Sequence, residues 1–213
     1  MNEFKEPYLE YINLNFPQVD ILQLPKGTFF RIESEDGQNP PTKLKWYEKA
    51  HKIEGINSFN VEMDNEHIVL PYLGPSLCWI LGNEGETLGS TNDHEFLKKI
   101  IGLGALQFAY LKKNSRRFRH SDAKTTNVTT DGENVYVIDP FYPKTDNFLP
   151  NDTMNFLWDS RRDLSDLKMS LDETEAIIDG AISAVNSYFA SIHYNYELRR
   201  GEKYAIRKIK KKS

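Results

Sequence analysis

His120, Asp122, Lys124 and Asn127 stand close together in the chain. Asp139 follows them at the end of an apolar run, Val135-Tyr136-Val137-Ile138. Residues of these types in this order can carry phosphoryl transfer. One Asp orients an acceptor hydroxyl or takes its proton, an Asn and a second Asp hold Mg²⁺, and a Lys steadies the moving phosphate. On that reading Asp122 and Lys124 are the catalytic candidates, and Asn127 and Asp139 the metal candidates. The segment Thr130-Asp131-Gly132-Glu133 predicts a tight turn between two short strands, which brings Asp139 back to face the loop. Each residue alone is ordinary. A lone His-x-Asp is common in surface loops, and Ile-Asp-Pro ends many strands at a turn. The joint order and spacing point to the chemistry.

The flanks must supply the elements that position these groups. Upstream, Phe96, Leu97, Ile100, Ile101, Gly104, Phe108 and Leu111 recur at helical spacing, which predicts a buried helix from His94 to Lys113 feeding the loop. Before it, Ile68-Val69-Leu70-Pro71-Tyr72-Leu73-Gly74-Pro75-Ser76-Leu77 reads as a buried strand broken at a Gly-Pro turn. Downstream, Ser160-Arg161-Arg162-Asp163-Leu164-Ser165-Asp166-Leu167 is expected to open a helix. Ser170-Leu171-Asp172-Glu173 is a capping box, and it starts a second helix with Ile177, Ile178, Ala181, Val185, Tyr188, Phe189 and Ile192 on its apolar face.

Three of these stretches resemble one branch of the protein kinases, the casein kinase 1 and vaccinia-related kinase group. That group has a hinge ending in L-G-P-S-L, a catalytic loop H-x-D-x-K-x-x-N and the motif S-R-R-x-D-L-E-x-L. Leu73 to Leu77 is similar to the first and His120 to Asn127 to the second. Ser160 to Leu167 is similar to the third, one residue shorter and with Ser165 in place of Glu. Arg31-Ile32-Glu33 and Pro41 to Tyr47 also look like the group's strand and following helix. The resemblance covers roughly residues 28 to 170. It implies an α+β, two-lobed protein-kinase-like fold with a reduced N-lobe sheet and a mainly helical C-lobe. The expected boundaries are 1–72 for the N-lobe, 73–198 for the C-lobe and 199–213 for a basic tail. It further implies ATP and Mg²⁺ as cofactors, with Leu70, Pro71, Tyr72 and Leu73 gripping the nucleotide.

The departures from the group bear on activity. In this register the ATP-binding Lys falls on Arg31, whose planar fork is a different phosphate ligand from a compact ammonium. The partner Glu of the next helix falls on Lys43, which cannot pair with Arg31, so Glu48 is expected to take its place. A competing register takes Leu24 to Ile32 as a degraded glycine loop and makes Lys45 the ATP lysine. It leaves too few residues for a helix before Gly55, and the first register is preferred. Gly27 by itself is more consistent with a hairpin turn than with a phosphate cradle. Pro140 stands where the group has the Gly of D-F-G, although small-molecule phosphotransferases carry Ile-Asp-Pro there. Ser121 replaces the Arg that would meet a phosphorylated activation segment, and the stretch from Asp139 to Ser160 is short. The primary expectation is a minimal Ser/Thr protein kinase acting on a protein hydroxyl. The alternatives are an inactive pseudokinase that binds partners and, more weakly, a small-molecule phosphotransferase.

Composition fits one folded chain. With 213 residues and 39% hydrophobic content it can bury a sizeable core. The single Cys78 excludes an internal disulfide and suits a reducing compartment. No apolar run reaches the ~18 residues of a membrane span. The cytosol is the expected location, or, since viruses carry shortened chains of this kind, the cytosol of a host. The net charge of −4 hides an asymmetry, because residues 199–213 hold eight Lys and Arg against one Glu. Such a tail is either solvated or a tether for an acidic partner. Beyond Tyr204 it lacks the interleaved aromatics that stack on bases, which argues against nucleic acid.

Overall fold

A computed structural model describes residues 19–24, 27–32, 40–64, 67–71, 73–74, 76–81, 94–111, 118–140, 152–167, 169–194, 196–200 and 205–208; for 19–32, 40, 64, 67, 69, 79 and 205–208 it describes the backbone only. The chain is α+β. Strands β1 (Val19–Leu24) and β2 (Gly27–Ile32) form a hairpin, and helix α1 (Pro40–Ala50) follows. Next come β3 (Glu62–Asp64), β4 (His67–Pro71) and the short helix α2 (Leu77–Leu81). Helix α3 (His94–Tyr110) leads into a 3-10 turn (Thr125–Asn127) and the hairpin β5 (Val128–Thr130) and β6 (Val135–Val137). Helices α4 (Asp152–Asp166) and α5 (Leu171–Ser191) precede a last hairpin, β7 (Tyr196–Arg199) and β8 (Ala205–Lys208). The larger sheet is antiparallel in the order β1-β2-β4-β3. Gly27 closes the first hairpin opposite Leu24, as expected of a turn residue. Arg31 lies on β2 between Asp20 and Val69.

Helix α1 packs against β3 and β4 and turns one face inward. Lys43, Trp46, Tyr47 and Ala50 are buried, at the i, i+3, i+4, i+7 spacing of a single helical face. The second half is built around α3, with Leu97, Ile100, Ile101, Ala105 and Phe108 wholly buried among α4, α5 and β6. Where α3 crosses α4, Gly104 faces the Phe156 ring so closely that a Cβ would lie 2.6 Å from it. The loop after α1 is tied to this half by Gln107. Its amide donates to the Gly55 carbonyl at 2.9 Å and accepts from the Asn57 N–H at 3.0 Å.

Two expectations are corrected. Helix α4 starts at Asp152 instead of Ser160, so the Ser-Arg-Arg segment lies in its middle. The basic segment does not begin as a solvated tail at 199. Tyr196–Arg199 pairs with Ala205–Lys208, and the Asn186 side chain holds the Leu198 backbone from both sides, at 2.7 and 2.9 Å. Lys45, the ATP lysine of the competing register, sits on α1 with its side chain exposed. The capping box at Ser170 is present as expected. Its hydroxyl accepts from the Glu173 N–H, and the Glu173 carboxylate accepts from the Ser170 N–H at 2.9 Å.

The break after β4 depends on Gly74, whose φ of +100° is a left-handed conformation. A Cβ there would lie 1.8 Å from the Thr130 carbonyl oxygen. Gly132, in the β5–β6 turn, has φ +94° but open space around it. A left-handed non-glycine residue costs about 1–2 kcal/mol, and only Gly74 adds a backbone clash. Gly74→Ala should therefore lower the melting temperature clearly more than Gly132→Ala, as read by circular dichroism. Equal losses would place Gly74 away from the β5–β6 turn.

Candidate functional site

The loop Phe118–Asn127 hangs from helix α4. Asp152, at its first turn and buried, accepts the backbone N–H of His120 at 2.9 Å and of Ser121 at 3.2 Å. Two turns on, Asp159 accepts both the N–H and the hydroxyl of Thr125, at 2.9 and 3.0 Å. Asp163 lies 2.5 Å from the same hydroxyl. The spacing i, i+7, i+11 puts all three carboxylates on one stripe of the helix. Arg162 bridges Asp159 at 2.7 Å and Asp163 at 3.0 Å, which offsets part of the cost of the two buried acids. Burial still pushes the Asp163 carboxyl above the ordinary carboxylate range, and the neighbouring Asp159 charge adds to it. Burial likewise raises the thiol of half-buried Cys78, which senses the same acids, so it is held as the neutral thiol.

His120 joins the two halves of the site. Its ring is fully buried, with Phe108 and Trp46 edge-on to it. Nε2 lies 2.7 Å from the Ile138 carbonyl oxygen, and the Asp122 N–H approaches Nδ1 at 3.4 Å. Both contacts fit a neutral ring that donates from Nε2 and accepts at Nδ1. Burial lowers its pKa, against the pull of the Asp152, Asp139 and Asp122 carboxylates. The ring thus fixes the residue before Asp139 to the residues before Asp122.

The four motif residues are placed as follows. The half-buried Asp122 carboxylate lies between Lys124 Nζ at 2.7 Å and Asn127 Nδ2 at 2.9 Å. Asn127 also donates to the Asp122 carbonyl at 2.9 Å, which turns its own amide oxygen away from Asp122. Lys124 is exposed at the rim. Asp139 follows β6 with φ +51°, and Ser121 precedes Asp122 with φ +67°. Both are left-handed non-glycine residues, and such strain persists only where surrounding contacts hold it. The expected turn closes the hairpin between these groups. Asp131 accepts the N–H groups of Glu133 and Asn134 at 2.9 and 2.7 Å, and these bonds hold its carboxyl below the usual range although burial acts upward.

The contacts on Asp139 differ from expectation. Its carboxylate meets Lys43 Nζ at 2.6 Å, and its N–H donates to the Tyr47 hydroxyl at 2.7 Å. Burial, with the Asp139 charge beside it, pushes the Tyr47 phenol well above its ordinary range, so it remains protonated. One position before Tyr47, Trp46 donates from Nε1 to the Arg119 carbonyl at 2.7 Å. The acid expected to look inward from this helix, Glu48, is on its exposed side. The side chain of Arg31, with the whole of Tyr72, lies outside the described residues. Of the remaining strand-end positions, Leu70 is buried and Pro71 and Leu73 are half-buried.

Lys43, Trp46, Tyr47, Asp152, Asp159 and Asp163 were thus not foreseen as site residues. The acids carried a readable signal, since three Asp at i, i+7, i+11 on an amphipathic helix imply buried partners. Lys43 carried a weaker one, as a cation on the apolar face of α1. Among the described residues, no three His, Cys, Asp or Glu side chains gather as metal ligands. Asn127 and Asp139 each carry an oxygen donor of the kind Mg²⁺ takes.

The histidines set a pH dependence. Burial depresses His120 and, less completely enclosed, His51 below the ordinary value of 6.5. Groups depressed in the folded state stay neutral there, so the stability tied to them is complete above about 6.5 and is lost as pH falls below it. Asp163, raised from 3.8, works in the opposite sense at lower pH. The melting temperature of Asp163→Asn, which lacks that opposing group, should fall steadily from pH 7 to 5.5. A flat profile would contradict neutral buried histidines. The chain matches no protein-family model and no curated protein.

Proposed function

We propose that the chain is a minimal, two-lobed protein-kinase-like enzyme that transfers the γ-phosphate of ATP to a protein hydroxyl. The observation that carries this reading is the state of Asp122. Its carboxylate is oriented by Lys124 and Asn127, on a loop bonded to Asp152 and joined through His120 to Ile138, the residue before Asp139. Phosphoryl transfer asks the protein mainly for positioning and charge. The sheet with α1 forms the small lobe and α3 to α5 the large one, with the Leu70–Leu73 segment between them as the nucleotide-gripping hinge.

In this mechanism Asp122 accepts a hydrogen bond from the acceptor hydroxyl and takes its proton as the oxygen attacks. Asn127 keeps that carboxylate from rotating. Lys124, at the exposed rim, turns from Asp122 to the transferring phosphate and offsets its charge. The Asn127 amide oxygen and the Asp139 carboxylate would hold Mg²⁺, which supplies charge neutralisation at the phosphate oxygens.

A second reading is favoured by one contact, the Lys43 ammonium on Asp139. A cation already seated on that carboxylate opposes metal binding, as in a pseudokinase that binds a partner without transferring phosphate. Radiolabelled ATP separates the two. Wild type should label itself or generic acceptor proteins. Asp122→Asn should lose about 10²–10⁴-fold in rate while keeping its melting temperature, and Asp139→Asn should lose transfer as well. Equal labelling by all three would mean a contaminating kinase, and no labelling by wild type with Mg²⁺ or Mn²⁺ would leave the binding module.

A further inference from the structure

The last hairpin leaves its two edges in different states. On β7 the Leu198 N–H donates to the Asn186 amide oxygen at 2.7 Å, and the Leu198 carbonyl accepts from the same amide group at 2.9 Å. One side chain of α5 thus stands where a further strand would bond. The same two bonds fix the pattern across the hairpin. In an antiparallel pair, residues opposite each other either exchange both backbone bonds or turn both groups outward. Leu198 turns outward, so Ile206, its register partner, turns its N–H and carbonyl to the far edge of β8. Lys208, two positions on and opposite Tyr196, does the same. The Tyr196 N–H accordingly bonds to the Tyr194 carbonyl at 2.8 Å and not to β8. Among the described residues no strand pairs with that far edge.

An edge of alternating N–H and carbonyl groups is complementary to another peptide backbone. The phosphates of a nucleic acid or a lipid only accept hydrogen bonds and would leave its carbonyls unmatched. Charge selects which backbone can add. In sequence Arg207, Lys208, Lys210, Lys211 and Lys212 follow with no acid among them. A second copy of β8 would set these cations opposite their own kind, which destabilises a strand pair, whereas acids opposite them stabilise it. We propose that the outer edge of β8 is a docking site for an extended, acidic segment of a partner protein, which adds to the hairpin as a third strand. The Asn186 amide closes the β7 edge, so the segment has one side on which to add. No residue of the candidate phosphate-transfer site lies on this edge, and docking there requires no ATP.

Backbone amide exchange on the full chain reads the docking directly, with a short capped peptide of alternating Glu and Val as the probe. At saturating peptide the Ile206 and Lys208 amides should exchange about tenfold more slowly or better. The Arg207 amide, which faces β7, should change far less. Fluorescence anisotropy then compares ligands and variants. The same peptide N-methylated throughout keeps its charge but loses its donors, and it should bind at least about tenfold more weakly, a gap of about 1.4 kcal/mol. Exchanging its Glu for Lys should abolish binding. Lys208→Gln removes one charge and should weaken binding. Lys208→Pro also removes the outward N–H and should weaken it further, because a strand tolerates proline where its N–H has no partner. Ile206 and Lys208 amides that exchange alike with and without the peptide overturn the proposal. So does a Lys208→Pro chain that binds as well as Lys208→Gln. If the N-methylated peptide, oligothymidylate or phosphatidylserine vesicles bind as tightly as the acidic peptide, the segment attracts polyanions in general and the proposal falls. Protection of the two amides that rises with protein concentration alone would assign the edge to a second copy and overturn it as well.

Discussion

The site depends on one buried helix face. Lys43, Trp46 and Tyr47, at i, i+3 and i+4 on α1, reach two separate loops at once. Lys43 and Tyr47 hold the side chain and backbone of Asp139, and Trp46 holds Arg119 by a hydrogen bond and His120 by ring contact. None of the three can move alone. Withdrawing Tyr47 would leave the Asp139 N–H without its acceptor, and withdrawing Asp139 would leave a buried ammonium uncompensated. An unpaired buried donor costs about 1–3 kcal/mol, and a charged one more. These contacts account for the left-handed backbone of Asp139, which a free strand end would relax.

On the opposite side α4 plays the matching part with carboxylates. Asp152, Asp159 and Asp163 take the N–H and hydroxyl groups of His120, Ser121 and Thr125, so Asp122 lies on a loop bonded along its length. The neutral His120 ring links the two systems through the Ile138 carbonyl. The Asp122 carboxylate is consequently held in one orientation by contacts within the chain itself.

Much of this was legible in the residues. The helix at 94–110, the hairpin around Gly132 and the capping box at Ser170 follow from periodicity and turn chemistry that tertiary contacts do not override. The loop from His120 to Asn127 was readable because each polar type has a spacing to its partner, and Asn127 does meet Asp122. The start of α4 was missed because Asp152 looks like a loop acid until its two backbone partners, more than thirty positions upstream, are brought to it. Lys43 was read as a lost ion-pair partner for Arg31. Local spacing could not show that Asp139, distant in sequence, supplies the counter-charge. The basic segment was read as a tail because charge was weighed above alternation, whereas Tyr196–Arg199 pairs with Ala205–Lys208 and Leu198 is buried.

The grip of α1 on the Asp139 loop can be measured residue by residue through backbone amide exchange in Tyr47→Phe. The substitution removes only the hydroxyl that accepts the Asp139 N–H. The Asp139 amide should be protected in wild type and should exchange about tenfold faster or more in the variant, corresponding to about 1.4 kcal/mol. The Thr125 amide, bonded to Asp159, should change far less. An Asp139 amide that exchanges at the same rate in both proteins would contradict the account, because α1 would then not be what holds that loop.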